Sequence, residues 1–199
     1  SINIISSKVG IICTYYNIDH KEEALLNHFK LEKQFDGIIY TDKKKYDGNN
    51  LVLHFNIKEI KPIIPNPDAS PLEKSLLLAE ILKQLFTMQA IGSKHGNITK
   101  ESFILADDKI SIFGCDLVEF LDRLQPETDL QNAKIALQEI IPDIPKNIID
   151  MFNEQNDFIC IYQTIMLNPV QYLYENTPID EFYDKHTPFQ FHDFNMHIY

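Results

Sequence analysis

The chain has 199 residues and a formal net charge of −11, with 44% hydrophobic and 24% charged residues. That length suits one domain with a sizeable core, or two small lobes sharing an interface. The acidic balance, with Lys43-Lys44-Lys45 as its one basic run, argues against nucleic acid or an anionic membrane as a partner, because concentrated positive charge binds both. No apolar run approaches the length of a membrane span.

The N-terminus lacks the basic and apolar regions of a signal peptide, so an intracellular, cytoplasmic location is expected. Cys13, Cys115 and Cys160 are odd in number and form no C-x-x-C pair. They read as thiols in a reducing compartment, Cys13 and Cys160 buried, rather than as a disulfide framework or a zinc site.

Residues 1–18 (INIISS, then VGIICTYYNI) read as two short strands or one broken one. Asp19 and Glu22 form a capping box that starts a helix from His20 to about Glu32, its apolar stripe being Ala24, Leu25, Leu26 and Phe29. GIIYT (37–41) and LVLHF (51–55) read as strands. Between them a polar hairpin loop is expected, holding the lysine triplet as a solvated turn together with Asp47-Gly48. Four prolines from Pro62 to Pro71 mark a stiff extended connector.

Ser70, Pro71 and Glu73 fall at N-cap, N1 and N3 of a second capping box. Apolar residues then recur at helical spacing through Leu72, Leu76, Ala79, Leu82, Leu85, Phe86, Met88 and Ala90, with Gly92 at the C′ position. Phe103–Ala106 and Lys109–Phe113 form a small hairpin closed by Asp107-Asp108. LVEFLDRL after it is helix-like, with Leu117, Phe120, Leu121 and Leu124 on one face. Thr128 to Ile141 is a helix ended by Pro142. Two more follow, one starting near Pro145 and one stopped by Asn168-Pro169. The remainder is aromatic-rich with little periodicity, and its rings either wrap the helical region or dock a partner.

His95-Gly96-Asn97-Ile98-Thr99-Lys100-Glu101-Ser102, followed by Ile112-Phe113-Gly114, resembles the protein-kinase signature H-R-D-L-x-x-x-N and then D-F-G. The resemblance implies an α+β, two-lobed fold. Residues 1–60 would be a small β-rich N-lobe with one αC-like helix, 61–70 the connector, and 71–199 a mostly helical C-lobe with an aromatic tail. It also implies that His95, Phe113 and Gly114 keep structural roles. Asp129 falls on the buried aspartate of helix αF, which would hold the backbone at His95.

The frame is kept and the chemistry dropped. Asn97 stands where the family has its catalytic Asp, Ser102 where it has a metal-binding Asn, and Ile112 where it has the Asp of D-F-G. An amide is a very weak base, and isoleucine offers no oxygen to magnesium. The glycine-rich loop is also missing, since Gly10 is the only glycine before residue 37. The resemblance therefore implies a pseudokinase with no cofactor or metal, weak or absent ATP binding, and a protein partner that it scaffolds or regulates. Phe189, Phe191, Phe194 and Tyr199 are candidate partner contacts. Two alternatives stay open: a same-fold enzyme or nucleotide sensor using Asp107, Asp108 or Asp116, and a mixed α/β domain unrelated to kinases. A metal site at His186, His192, Asp193 and His197 has loose spacing in aromatic surroundings and is not favoured.

Overall fold

In the computed structural model, which describes residues 2–7, 10–15, 41–48, 50–55, 57–90, 92–112, 119–120 and 127–188, the N-terminal strands form one antiparallel sheet. Its members are β1 (Ile2–Ser7), β2 (Gly10–Tyr15), β3 (Thr41–Asp47) and β4 (Asn50–Phe55), in the order β1-β2-β4-β3. The isoleucine-rich runs of β1 and β2 pair from Ile2 opposite Tyr15 to Ser7 opposite Gly10. Of the strand expected at 37–41 only Thr41 falls within the described residues; the strand there runs Thr41–Asp47, so the lysine triplet is strand and not turn. Lys43, Lys44 and Lys45 pair with His54, Leu53 and Val52. Among the described strands β3 lies at the end of the order, a position that tolerates charged residues. Gly48, at φ +59°, supplies the left-handed residue that turns β3 into β4. The helix expected from His20 to Glu32 lies outside the described residues.

A second sheet joins β5 (Ile60–Pro62), β7 (Phe103–Ala106) and β8 (Lys109–Ile112), in the order β5-β7-β8. The connector thus starts as a strand, with Ile60 opposite Ala106 and Pro62 opposite Ile104. An edge strand tolerates Pro62, which has no N–H to offer. Asp107 (φ 46°) and Asp108 (φ 66°) both lie in the left-handed region, as the tight turn between β7 and β8 requires, and aspartate adopts it at low cost. A third pairing sets β6 (Ser93–Lys94) against β9 (Glu119–Phe120). It replaces part of the helix expected over LVEFLDRL: backbone pairing with a distant strand overrides the local apolar spacing. Leu117, Leu121 and Leu124 lie outside the described residues.

The helical region is built on α1 (Pro71–Ala90). Ser70 N–H donates to Glu73 Oε2 and Glu73 N–H to Ser70 Oγ, both at 3.2 Å, which completes the capping box. From Gln84 to Ala90 every residue is buried, so this half is a central core helix rather than a surface one. Around it lie α2 (Glu127–Ile140), α3 (Lys146–Glu154), α4 (Phe158–Leu167), α5 (Pro169–Tyr172) and α6 (Ile179–Lys185). Leu78, Ile81, Leu85 and Phe86 of α1 share one core with Leu137, Phe152, Ile161 and Ile165. Phe86 stacks on Tyr162 with ring centroids 4.8 Å apart.

Residues 169–188 are more ordered than their composition suggests. Phe182 is fully buried, and Tyr172, Tyr174 and Tyr183 pack against the same core. Cys160 is exposed, contrary to its expected burial. The buried stripe of α4 runs through Phe158, Ile161, Tyr162, Ile165 and Met166 and passes it by. The described chain is therefore α+β, and no described helix is long and apolar enough to cross a membrane.

Candidate functional site

The loop between β6 and β7 hangs on one carboxylate. Asp129, in the first turn of α2 and 1% exposed, accepts hydrogen bonds from His95 N–H at 2.7 Å and Gly96 N–H at 2.9 Å. A carboxylate buried this deeply is costly unless such donors compensate it. Gly96 sits at φ +91°, which lets two successive N–H groups face one acceptor. The His95 ring is fully buried, and its Nδ1 accepts from Asn97 N–H at 3.2 Å. That nitrogen therefore carries a lone pair, and the proton of the neutral ring sits on Nε2.

Downstream the loop closes on itself. Ser102 Oγ accepts from Thr99 N–H at 3.0 Å and donates to the Asn97 carbonyl at 3.4 Å, while a 3₁₀ turn spans Lys100–Ser102. The Ser102 side chain is buried and committed to holding the loop. Asn97 is exposed and presents an amide to solvent. Ile112, 1% exposed, pairs with Phe103 across the β7–β8 ladder and belongs to the core. Of the five described positions of the signature, the structure brings His95, Asn97, Ser102 and Asp129 into one hydrogen-bonded unit. It leaves Ile112 on the hairpin behind it. Phe113, Gly114 and Asp116 lie outside the described residues, as do Phe189, Phe191, Phe194 and Tyr199.

Asp107 is engaged elsewhere. Its carboxylate accepts from Lys58 N–H at 3.0 Å and Glu59 N–H at 2.9 Å, and its own N–H donates to the Glu59 carbonyl at 3.0 Å. It stitches the chain before β5 to the hairpin tip. Asp108 is exposed at the same turn. Among the described residues no three His, Cys, Asp or Glu side chains converge as a metal site would require.

Sequence reading missed a second polar cluster. His186, 1% exposed, joins three helical segments: its Nδ1 lies 2.8 Å from Glu80 Oε1 on α1, and its Nε2 lies 2.7 Å from the Tyr162 hydroxyl on α4. An ionised carboxylate only accepts, so Nδ1 carries a proton toward Glu80, while Nε2 shares a hydrogen bond with the Tyr162 hydroxyl. The hydrogen bond from His186 holds the Glu80 carboxyl below its usual range, aided by Lys83 and Lys109 and opposed by burial. The sequence places His186 near His192, Asp193 and His197, which lie outside the described residues. Its partners Glu80 and Tyr162 are 106 and 24 residues away, so spacing alone carried no signal for them.

No family model matches the chain, and no curated protein matches its sequence.

Proposed function

We propose that the chain is a degenerate protein-kinase-like domain that acts as a protein-interaction module, scaffolding or regulating a partner without transferring phosphate. The observation that carries this reading is the double grip of Asp129 on His95 N–H and Gly96 N–H, next to an exposed Asn97 amide. The loop is anchored as a kinase catalytic loop would be, and the residue at its working position lacks the chemistry.

Phosphoryl transfer is mostly positioning and charge neutralisation: a carboxylate receives the hydroxyl proton, and two oxygen ligands hold magnesium against the phosphates. Here the proton acceptor is an uncharged amide at Asn97. The Ser102 hydroxyl is spent on the Thr99 and Asn97 backbone. Ile112 is buried hydrocarbon. With −11 net charge on the chain and no clamp for the metal, a triphosphate would meet uncompensated repulsion. Recruiting Asp107 instead would break its bonds to Lys58 and Glu59. ATP binding is accordingly weak or absent, and the partner is a protein.

Thermal-shift titration with ATP, with and without magnesium or manganese, tests the reading. The expected result is no shift in any condition. A metal-dependent rise of several degrees would sink it. A metal-independent rise would make the domain a nucleotide sensor.

A further inference from the structure

Two cavities open on either side of the start of α1. One, of about 340 Å³, is walled by Pro65, Pro67, Leu77, Ile141 and the Tyr174 ring. The other, of about 560 Å³, reaches Val170 and Lys146. Lys74, Asp143 and Tyr174 line both, so the two form one groove with a polar saddle. Both sizes fall in the range of recognition sites.

The saddle is built rather than incidental. Lys74 Nζ donates to Asp143 Oδ2 at 2.9 Å and lies 5.6 Å from the Tyr174 ring centroid. Tyr174 O–H reaches Asp143 Oδ1 at 3.4 Å. The Lys74 side chain is 23% exposed and that of Asp143 57%. The lysine is therefore drawn inward onto the ring, while the carboxylate faces outward with acceptor capacity to spare. Bonding to Lys74 holds the Asp143 carboxyl below its usual range, so it stays ionised. Val170, one of the most exposed large apolar residues among those described at 80%, lines this groove. The smaller cavity is walled mainly by apolar residues, and the larger one adds Glu175 and Lys146; with Lys74 committed to Asp143, the outward Asp143 carboxylate beside the apolar wall is complementary to a cation carried next to an apolar side chain.

We propose that this groove docks an extended segment of a partner protein, seating a bulky apolar side chain among Pro65, Pro67, Leu77 and Tyr174 and a neighbouring arginine or lysine on Asp143. This deepens the interaction-module reading by naming the chemistry of the partner, and it rests on that reading.

The test is fluorescence anisotropy on the full chain with three labelled peptides, Ala-Gly-Xaa-Leu-Xaa-Phe-Gly-Ala, in which Xaa is Arg, Gln or Glu. The Arg peptide should bind about fivefold tighter than the Gln peptide, and the Glu peptide weakest. Asp143→Asn should reduce the Arg preference to less than about twofold. Val170→Ser, at an exposed position of the lining, should weaken all three peptides by about threefold. Equal binding of Arg and Gln peptides, a preference that survives Asp143→Asn, or no binding at all would overturn the proposal. So would a dimer that Val170→Ser dissociates, which would put a second copy in the groove, or binding that emerges only when residues 189–199 are deleted, which would put the chain's own tail there. A metal-dependent ATP shift would instead sink the inactive-kinase reading and leave this titration untouched.

Discussion

Two aspartates each hold a pair of backbone N–H groups, Asp129 beneath the 95–97 loop and Asp107 at the tip of the β7–β8 hairpin. Their geometry is nearly the same, with bonds of 2.7 and 2.9 Å for Asp129 and 3.0 and 2.9 Å for Asp107. Their depth is not. Asp129 is 1% exposed, whereas the bonds of Asp107 sit at an exposed turn. Water can replace the partners of Asp107 when they are lost, whereas Asp129 and the His95 N–H it holds are buried away from it. The contrast teaches that the same hydrogen bonds can position a loop rigidly or merely trim its edge, according to what replaces them.

Truncation should break this symmetry. Asp129→Ala removes a buried acceptor and strands His95 N–H and Gly96 N–H, so it should cost about 3 kcal/mol in urea unfolding. Asp129→Asn, which keeps one acceptor oxygen, should recover part of that loss. The next largest effect is expected at the other buried polar cluster. His186→Ala takes away the imidazole that joins Glu80 to Tyr162 and frees the end of α6, at a cost of about 2 kcal/mol by the same measurement. Asp107→Ala should cost only about 1 kcal/mol. If Asp107→Ala proved as costly as Asp129→Ala, depth would not be the deciding variable.

The same contrast separates what the sequence made legible from what it hid. The Ser70–Glu73 capping box and the Asp107-Asp108 turn are local: each needs residues within three positions of one another, and both formed as their pattern implied. Asp129 was legible only through the resemblance to the kinase signature, because its bonds to the 95–97 loop span 34 and 33 residues. β5 was hidden because its strand character comes from β7, more than forty residues on, and not from the Ile-Lys-Pro sequence itself. β9 was misread because the apolar spacing around Phe120 suits a helix, while its partner Ser93–Lys94 lies outside any local window. The lysine triplet passed for a loop because a strand at the end of the described order can carry charges that a central strand would exclude. The exposure of Cys160 could have been read from the stripe of α4 at Phe158, Ile161, Tyr162 and Ile165, which leaves position 160 off the buried face.

Acid should act on the buried cluster through Glu80. A carboxyl whose value is lowered in the folded chain contributes stability above its unfolded value and loses it as pH falls through the folded one. Glu80 is held low first by its hydrogen bond to His186 and then by the charges of Lys83, His186 and Lys109. The urea midpoint should therefore fall as pH drops below the ordinary glutamate range, and Glu80→Gln should flatten that dependence. The variant and the parent chain should converge in acid. Parallel curves would mean that other carboxylates, Asp143 among them, carry the acid sensitivity.

The smallest expected effect runs in the opposite direction. Gln84, 5% exposed on the buried half of α1, keeps a side-chain carbonyl Oε1 with no hydrogen-bond partner among the described residues. Asp129 shows what a buried acceptor gains when donors are aimed at it; Gln84 has the burial without the donors. An orphaned buried acceptor costs free energy that an apolar group of similar shape would not. Methionine matches the length and flexibility of glutamine and helix propensity does not oppose it. Gln84→Met should therefore stabilise the chain by roughly 0.5–1 kcal/mol, read as a higher urea midpoint at unchanged slope. A lower midpoint would mean that the amide is held by a partner whose loss outweighs the gain, and Gln84 would then belong with Asp129 as a built polar anchor of the core.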